Sequence, residues 1–263
     1  MNRPKTGGPI RVERYESETQ DFVTSAHQDY QLKADYTWVR KSPGARIAAK
    51  LSYGAALLIG ACYNRFALHV TYKNRKILKE AKRGGFFLYS NHTQPFGDIF
   101  LPAFAAFPRR IYVLVSPANL GIPVIGKILP YLGALPLPSD LHGYGALRRA
   151  ITQRLSQHAG IVIYPEAHVW PYCTKIRDYP DASFSFPVKE DKPVFAMTTT
   201  YQKRRFGKKP KTTVFLDGPF FPDPSLPQRD RSRALRDEVY RTMQARSAES
   251  TYEYIRYVKS SPS

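Results

Sequence analysis

The sequence has few cysteines, few acidic residues and no long apolar run, and each shortage excludes a class of protein. Among its 263 residues, Cys62 and Cys173 are the only cysteines. This count argues against the disulfide framework of small secreted domains and favours a reducing compartment. The first twenty residues hold no apolar segment and no small-residue cleavage site, so we expect no secretory signal.

The shortage of acidic residues leaves a strongly basic chain. It has 21 Asp and Glu against 40 Lys and Arg, a net charge of +19. Such a surface attracts anions, which include nucleic acid, phosphorylated metabolites, acidic proteins and anionic lipid. A hydrophobic content of 43% excludes a disordered chain. Charge alone does not choose among the anions, so the choice depends on motifs.

The most apolar stretch runs from Leu51 to Tyr63, and its thirteen residues are fewer than the ~20 that a spanning helix needs. We predict that residues 46–66 form an interfacial helix that docks in one leaflet of a membrane. Cations that flank it would lie at the headgroup level: Arg40, Lys41, Arg46, Lys50 and Arg65. A buried core helix is the alternative.

The remaining chain divides into a polar N-terminal arm, residues 1–45, and a domain over residues 67–263. In the domain, short apolar runs alternate with helical patterns, which predicts an α/β fold with a mixed sheet flanked by helices. Strands are predicted at 67–72, 86–90, 110–116, 160–164, 194–201 and 212–216. Helices are predicted at 98–107, 144–157 and, at the C-terminus, 229–259. The apolar, proline-rich stretch 117–138 is predicted to form short turns over a pocket or against lipid.

Two polar clusters follow predicted strands. His92 comes just after the strand 86–90, and Asp98 begins the next helix. An imidazole held by a carboxylate through one nitrogen accepts a proton at the other, so this pair predicts a general base. Simple capping of a turn and a helix is the alternative. Glu166 and His168 follow the strand 160–164, so the four side chains would share one sheet edge if these strands are neighbours.

These motifs resemble those of the glycerophospholipid acyltransferases, the 1-acylglycerol-3-phosphate acyltransferase group. Asn91-His92 with Asp98 is similar to the family's Asn-His, four residues, Asp, and the segment 164–168 is similar to its Phe-Pro-Glu-Gly-Thr-Arg. The segment 133–137 lies in the place of the middle motif, and 192–196 in that of a late Val-Pro strand. The resemblance covers residues 57–221.

The resemblance implies a fatty acyl transfer at the cytoplasmic face of a membrane by a peripheral or monotopic protein. His92 would take a proton from the hydroxyl of 1-acylglycerol-3-phosphate, which attacks an acyl thioester or acyl phosphate to give phosphatidic acid. Asp98 would orient His92, and Glu166 would hold the acceptor hydroxyl. Further substrate-binding residues would be Asn91, Gly133, Tyr164, Pro165 and His168. The implied partners are the lipid surface, the lysophospholipid and, as donor, acyl carrier protein or coenzyme A; no metal, other cofactor or nucleic acid is implied.

The sequence departs from the family pattern in three places. Five residues rather than four separate His92 from Asp98, the middle-motif Arg is missing from 133–138, and Ala167-His168-Val169 replaces Gly-Thr-Arg. Pro95 and Gly97 would let the turn accommodate the longer spacing. Cations that could replace the missing phosphate ligands are Lys127, Arg148, Lys175 and Arg177.

Other functions stay open at this point. The groups His92, Asp98, Glu166 and His168 could serve a metal-dependent hydrolase. A basic nucleic-acid-binding protein would suit the net charge of +19, although no helix-turn-helix, zinc-finger or RNP signature supports it. Residues 203–211 contain six cations, which could form a solvated loop or could contact anionic headgroups or an acyl carrier protein.

Overall fold

A seven-stranded sheet organises the chain in the computed structural model, which describes residues 8–23, 29–33, 35–82 and 84–260. The strands are β1 Arg11–Tyr15, β2 Thr71–Lys73, β3 Phe86–Ser90, β4 Ile111–Val115, β5 Ala134–Pro136, β6 Gly160–Ile163, β7 Val194–Gln202, β8 Lys211–Phe220 and β9 Ile255–Lys259. The main sheet has the order β2-β8-β7-β3-β6-β4-β5. All its pairings are parallel except β7 with β8. The prediction of a mixed α/β sheet is confirmed.

Helices cover the sheet on both faces. They are α1 Pro43–Cys62, continued by a π-helical turn Tyr63–Leu68, then α2 Gly97–Ala106, α3 Ile125–Leu132, α4 Leu141–Ser156, α5 Ser185–Glu190 and α6 Gln228–Ser247. The side chains of Ser42 and Asp140 cap α1 and α4 by accepting backbone N–H bonds of 3.3 and 2.8 Å. The predicted helices 98–107 and 144–157 correspond to α2 and α4. The stretch 117–138 was predicted to form short turns, but it contains the short helix α3 and the strand β5, which the sequence did not predict.

The core consists of two layers, one on each face of β3. Phe87 and Tyr89 pack in one layer with the apolar stripes of α4 and α6, whereas Phe86 and Leu88 pack in the other with α2. Successive strand residues point to opposite faces, so a run that is apolar at every position requires cover on both sides. β3 is therefore a central strand, fully buried, and the residues that follow it start from a rigid support.

The chain termini differ from their prediction. The C-terminal helix ends at Ser247 rather than 259, and β9 pairs in parallel with β1, which lies in the predicted polar arm. This pairing joins residues more than 200 positions apart, which no local pattern predicts. The predicted strand 67–72 also begins late, because the π-helical turn continues to Leu68.

The apolar helix α1 packs against the domain along one narrow side. Its contact with α2 is at Gly60, where a Cβ would lie 2.6 Å from the Phe100 ring. In the most apolar part of the 26 residues Pro43–Leu68, only 6% of the residues are buried. The alternative of a buried core helix is therefore wrong. This helix is long and apolar enough to cross a membrane, although the apolar run itself is shorter. Interfacial docking of residues 46–66 stays a prediction.

Candidate active site

The two predicted motifs meet at the carboxyl edge of the sheet. β3 and β6 are parallel neighbours, with Tyr89 opposite Ile163. The chain leaves them through two segments, which we name the dyad loop, residues 91–98, and the carboxylate loop, residues 164–177. Because both loops start from adjacent strands at equal height, His92 and Glu166 come within hydrogen-bonding distance.

The dyad loop holds His92 against Asp98. His92 Nδ1 lies 2.7 Å from Asp98 Oδ2, and the same oxygen accepts the backbone N–H of Gln94 at 2.9 Å. Asp98 is buried. His92 is half-buried and lines the cavity described below. A carboxylate oxygen that accepts both bonds fixes the proton on Nδ1 and leaves Nε2 to accept a proton. The pair can therefore act as a general base.

The longer spacing between His92 and Asp98 does not separate the pair. A turn at Pro95 and Phe96 absorbs the extra residue before α2 starts at Gly97. A Cβ on Gly97 would lie 2.9 Å from side-chain atoms of Gln94 and Leu68, so the close approach requires glycine.

Tyr164 fixes the orientation of this pair from the carboxylate loop. Its ring stacks on the His92 imidazole with centroids 4.3 Å apart, and its hydroxyl donates to the backbone oxygen of Asp98 at 2.6 Å. Burial raises the pKa of Tyr164 well above its ordinary value, and the Asp98 charge adds to the rise. The phenol therefore stays protonated and keeps its donor. Tyr164 and Pro165, both predicted to bind substrate, line the cavity.

Glu166 faces away from the cavity, in contrast to its predicted contact with the acceptor. Its Oε2 accepts the His92 backbone N–H at 3.1 Å and Arg177 Nη2 at 2.9 Å, and its Oε1 accepts the Arg177 backbone N–H at 3.0 Å. Burial raises the pKa of Glu166, and the Arg177 charge and the N–H bonds oppose that rise. The pair holds the His92 backbone in place. Arg177 is consequently also unavailable as the predicted phosphate ligand.

The N-terminal arm closes the other side of the carboxylate loop. His168 Nδ1 lies 2.7 Å from Asp21 Oδ1, and both residues line the cavity. Trp170 Nε1 donates to the Gln20 backbone oxygen at 2.8 Å, and Arg177 Nη1 donates to that of Glu18 at 3.1 Å. Sequence reasoning missed this contribution, because nothing in a charged segment 150 residues away indicates where it packs.

Two further predicted substrate ligands have structural positions instead. Asn91 is 1% exposed, and its amide exchanges two hydrogen bonds, of 3.0 and 2.8 Å, with the backbone of Thr199 in β7. Gly133 ends α3 with φ +107°, and a Cβ there would lie 2.7 Å from the Ile111 oxygen. Neither residue lines the cavity. Both fix the strand ends around it.

A cavity of about 1170 Å³ reaches the dyad. Its apolar part is lined from α1, α2, α3 and β4, and the stretch 117–138 contributes many of these side chains, as predicted. Its polar lining comprises Asp21, Tyr53, His92, Asp98, Ser116, Asn119, Tyr144, Arg148, Tyr164, His168, Ser183, Ser185 and Lys189. The site therefore joins a pair that can act as a general base to a space large and apolar enough for an alkyl chain.

The predicted phosphate ligands separate into different places. Arg148 lines the cavity, where Glu190 Oε1 holds its Nε at 3.3 Å. Lys189, which sequence reasoning did not single out, lines it too. Lys127 lines a separate pocket with Asp29 and Tyr30. Lys175 is exposed and outside the cavity.

The metal-dependent alternative finds no ligand set in the part of the chain that the structure describes. There, no group of three or more His, Cys, Asp and Glu side chains could hold a metal ion. The carboxylate of Glu166 is occupied by Arg177, and His168 is paired with Asp21. His92 and Asp98 remain, and they are arranged as a proton-accepting pair.

Comparison with known proteins finds a likeness of fold. No protein-family model and no curated protein matches the sequence. Among solved structures, the chain is similar to the crystal structure of the 1-acyl-sn-glycerophosphate (LPA) acyltransferase PlsC from Thermotoga maritima. The TM-score is 0.54 at 16% sequence identity, over 80% of this chain and 85% of that chain. The resemblance drawn from the sequence motifs is thus confirmed at the level of the fold.

Proposed function

We propose that this chain is a membrane-associated O-acyltransferase that moves a fatty acyl group to the free hydroxyl of a lysophospholipid. The acceptor is 1-acylglycerol-3-phosphate and the product is phosphatidic acid. One observation carries the proposal. The pair of His92 and Asp98, with 2.7 Å between Nδ1 and Oδ2, lines an apolar cavity of about 1170 Å³. The fold around it is similar to that of an LPA acyltransferase.

The reaction needs one proton acceptor and two positioned substrates. Nε2 of His92 takes the proton of the acceptor hydroxyl while its oxygen bonds to the acyl carbonyl carbon. The bond from that carbon to sulfur of a thioester, or to oxygen of an acyl phosphate, then breaks, and the leaving group recovers the proton from His92. General base catalysis of this kind contributes ~10²–10⁴-fold, so the positioning of both substrates in the cavity supplies the rest.

The acceptor headgroup lies at the polar end of the cavity in this proposal. Arg148 and Lys189 are the cations that line it, so we assign them the phosphate that the family's missing arginines would bind. Two serines, Ser183 and Ser185, line the same region and can add hydrogen bonds. The acyl chain occupies the apolar end, between α1, α2 and α3.

Membrane association follows from the two sides of α1. Tyr53, Ala56 and Leu57 line the cavity. The opposite side exposes large apolar side chains, namely Ile47, Leu51, Leu58, Ile59 and, in the π-helical turn, Phe66. A helix with this exposure and flanking cations is suited to a lipid surface that covers its apolar side. Lipid substrates would then enter the cavity from a cytoplasmic leaflet without crossing water.

The proposal is tested by following a labelled acyl group. Purified protein in detergent is given labelled acyl carrier protein, acyl coenzyme A or acyl phosphate together with 1-acylglycerol-3-phosphate, beside the His92→Ala variant. We expect labelled phosphatidic acid with one of the donors and loss of product in the variant. Transfer at the same rate by both proteins would contradict the base assignment, and transfer only to another acceptor in a lipid panel would contradict the acceptor.

A further inference from the structure

The tip of the β7–β8 hairpin, residues 203–211, concentrates positive charge. Six of these nine residues are Lys or Arg, and none is acidic. Five of the cations are exposed: Lys203, Arg205, Lys208, Lys209 and Lys211. None of the five forms an ion pair with a residue that the structure describes. Like charges this close repel one another, so an anionic partner would stabilise them.

An exposed aromatic residue lies in the middle of the tip. Phe206 is 78% exposed, with the Arg205 guanidinium 5.3 Å from its ring centroid. The π-helical turn that continues α1 repeats this arrangement. Phe66 there is 72% exposed, and the Arg65 guanidinium lies 5.9 Å from its ring centroid. An apolar ring beside a cation is suited to the boundary between lipid tails and headgroups.

Hydrogen bonds hold the tip beside the end of α1. Arg204 donates from Nε to the Pro210 oxygen at 2.9 Å and from Nη2 to the Ala67 oxygen. The Tyr252 hydroxyl donates to the Lys208 oxygen at 3.0 Å. Because β7 runs parallel to β3, the tip also lies at the sheet edge that carries the dyad loop.

We propose that this hairpin tip is a second membrane contact, which binds anionic phospholipid headgroups while Phe206 enters the interface beside Phe66. The inference rests on the membrane association in the proposed function but not on its chemistry. An acidic protein would match the charge, yet the exposed apolar side of α1, with Leu58 and Ile59, ends at the same place and is suited to lipid rather than to acidic side chains. Two contacts at the dyad edge would keep the cavity turned towards the bilayer.

Vesicle binding of the full chain tests this proposal. The probes are phosphatidylcholine vesicles with and without phosphatidylglycerol, and the variants are Lys208→Glu with Lys209→Glu, and Phe206→Ser. Lys76→Glu with Lys79→Glu is the matched control, because these exposed lysines follow β2, which runs antiparallel to β3, and so lie at the opposite edge. The tip variant loses two cations near an anionic surface and gains two repelling charges, so we expect it to bind phosphatidylglycerol vesicles at least about tenfold more weakly.

The other outcomes separate this inference from the proposed function. We expect the control to bind within about twofold of the unmodified protein, and Phe206→Ser to bind both vesicle types more weakly. Acyl transfer in detergent should be unchanged in the tip variant.

Equal vesicle binding by tip and control variants would overturn the proposal. Normal vesicle binding with loss of transfer only from acyl carrier protein would assign the tip to that protein instead. No vesicle binding by the unmodified protein would remove the membrane association itself.

Discussion

The dyad loop and the carboxylate loop leave adjacent strands with similar polar residues, yet they use them in opposite ways. In the dyad loop, a half-buried histidine turns towards the cavity and a buried aspartate supports it from behind. In the carboxylate loop, Glu166 and Arg177 turn towards each other and away from the cavity. The buried pair of Glu166 and Arg177 therefore positions the backbone, whereas the His92 imidazole, held by Asp98 on one side, still faces the cavity.

The carboxylate loop also supports the dyad loop by holding His92 in place. Glu166 accepts the backbone N–H of His92, and Tyr164 stacks on its ring. Both contacts fix the direction of the imidazole. The atoms that make them are turned to His92 and not to a substrate. We therefore expect variants of the dyad loop to lose chemistry in a folded protein, and variants of the carboxylate loop to lose stability first.

The largest effect is expected in the dyad loop. His92→Ala should lower kcat by ~10²–10⁴-fold, because the hydroxyl loses its proton acceptor. Asp98→Asn should lower it by a similar factor, since an amide cannot hold the proton on Nδ1 in the same way. Steady-state transfer measures the loss, and urea unfolding checks that His92→Ala stays folded. A His92→Ala enzyme with unchanged kcat would contradict the assignment.

The next largest effect is expected on stability, in the carboxylate loop. Arg177→Met leaves the buried Glu166 carboxylate without its partner, which should cost ~3–5 kcal/mol in the free energy of unfolding. Glu166→Gln combined with Arg177→Met should cost less, because no buried charge is then unpaired. Urea unfolding measures both. Equal stability of the single variant and the unmodified protein would show that the pair has no positioning role.

Cys173 reports whether that loop has opened. Burial raises the pKa of its thiol to about 12, so the thiolate form is scarce at pH 8 and the folded protein should react slowly there. Exposed Cys62, at the end of α1 and far from the loop in sequence, is the internal control, and its rate with a thiol reagent should be the same in every variant. In Arg177→Met we expect Cys173 to react faster while the rate at Cys62 stays the same. Fast reaction of both thiols in the unmodified protein would contradict the packing of the loop.

A smaller effect is expected at the polar end of the cavity. Arg148→Gln and Lys189→Gln should each raise KM for 1-acylglycerol-3-phosphate by about tenfold, with kcat changed little, because each removes a charge to which the proposed function assigns the phosphate. Lys175→Gln is the matched control, since this exposed lysine lies outside the cavity. A KM that rises equally in all three variants would place the phosphate elsewhere.

The smallest effect is expected where the arm meets the carboxylate loop. Asp21 and His168 form a hydrogen-bonded pair whose side chains are about one third exposed, 36% and 31%. Such pairs contribute roughly 0–1 kcal/mol, so Asp21→Asn should change the free energy of unfolding by less than about 1 kcal/mol. Urea unfolding beside His168→Asn checks this. A loss as large as that of Arg177→Met would mean that the arm is part of the core.

The sequence allowed the dyad and six of the seven strands of the main sheet to be predicted, because their signals are local. The apolar run of β3 is a single short segment, and His92 and Asp98 are only six positions apart in the chain. The pairing of β1 with β9 and the contact of Asp21 with His168 join segments more than a hundred residues apart. Glu166 was assigned to substrate because its pairing with Arg177 depends on how the carboxylate loop folds back, which spacing does not determine.

The most direct test of the division between the two loops is chemical rescue by imidazole. His92→Ala removes a ring that lines the cavity, so added imidazole can occupy its place and act as the base. We predict that imidazole restores a saturable part of the transfer rate to His92→Ala but none to Arg177→Met, whose defect is structural. The account would be contradicted if His92→Ala turned over at the unmodified rate without imidazole, or if imidazole rescued Arg177→Met equally well.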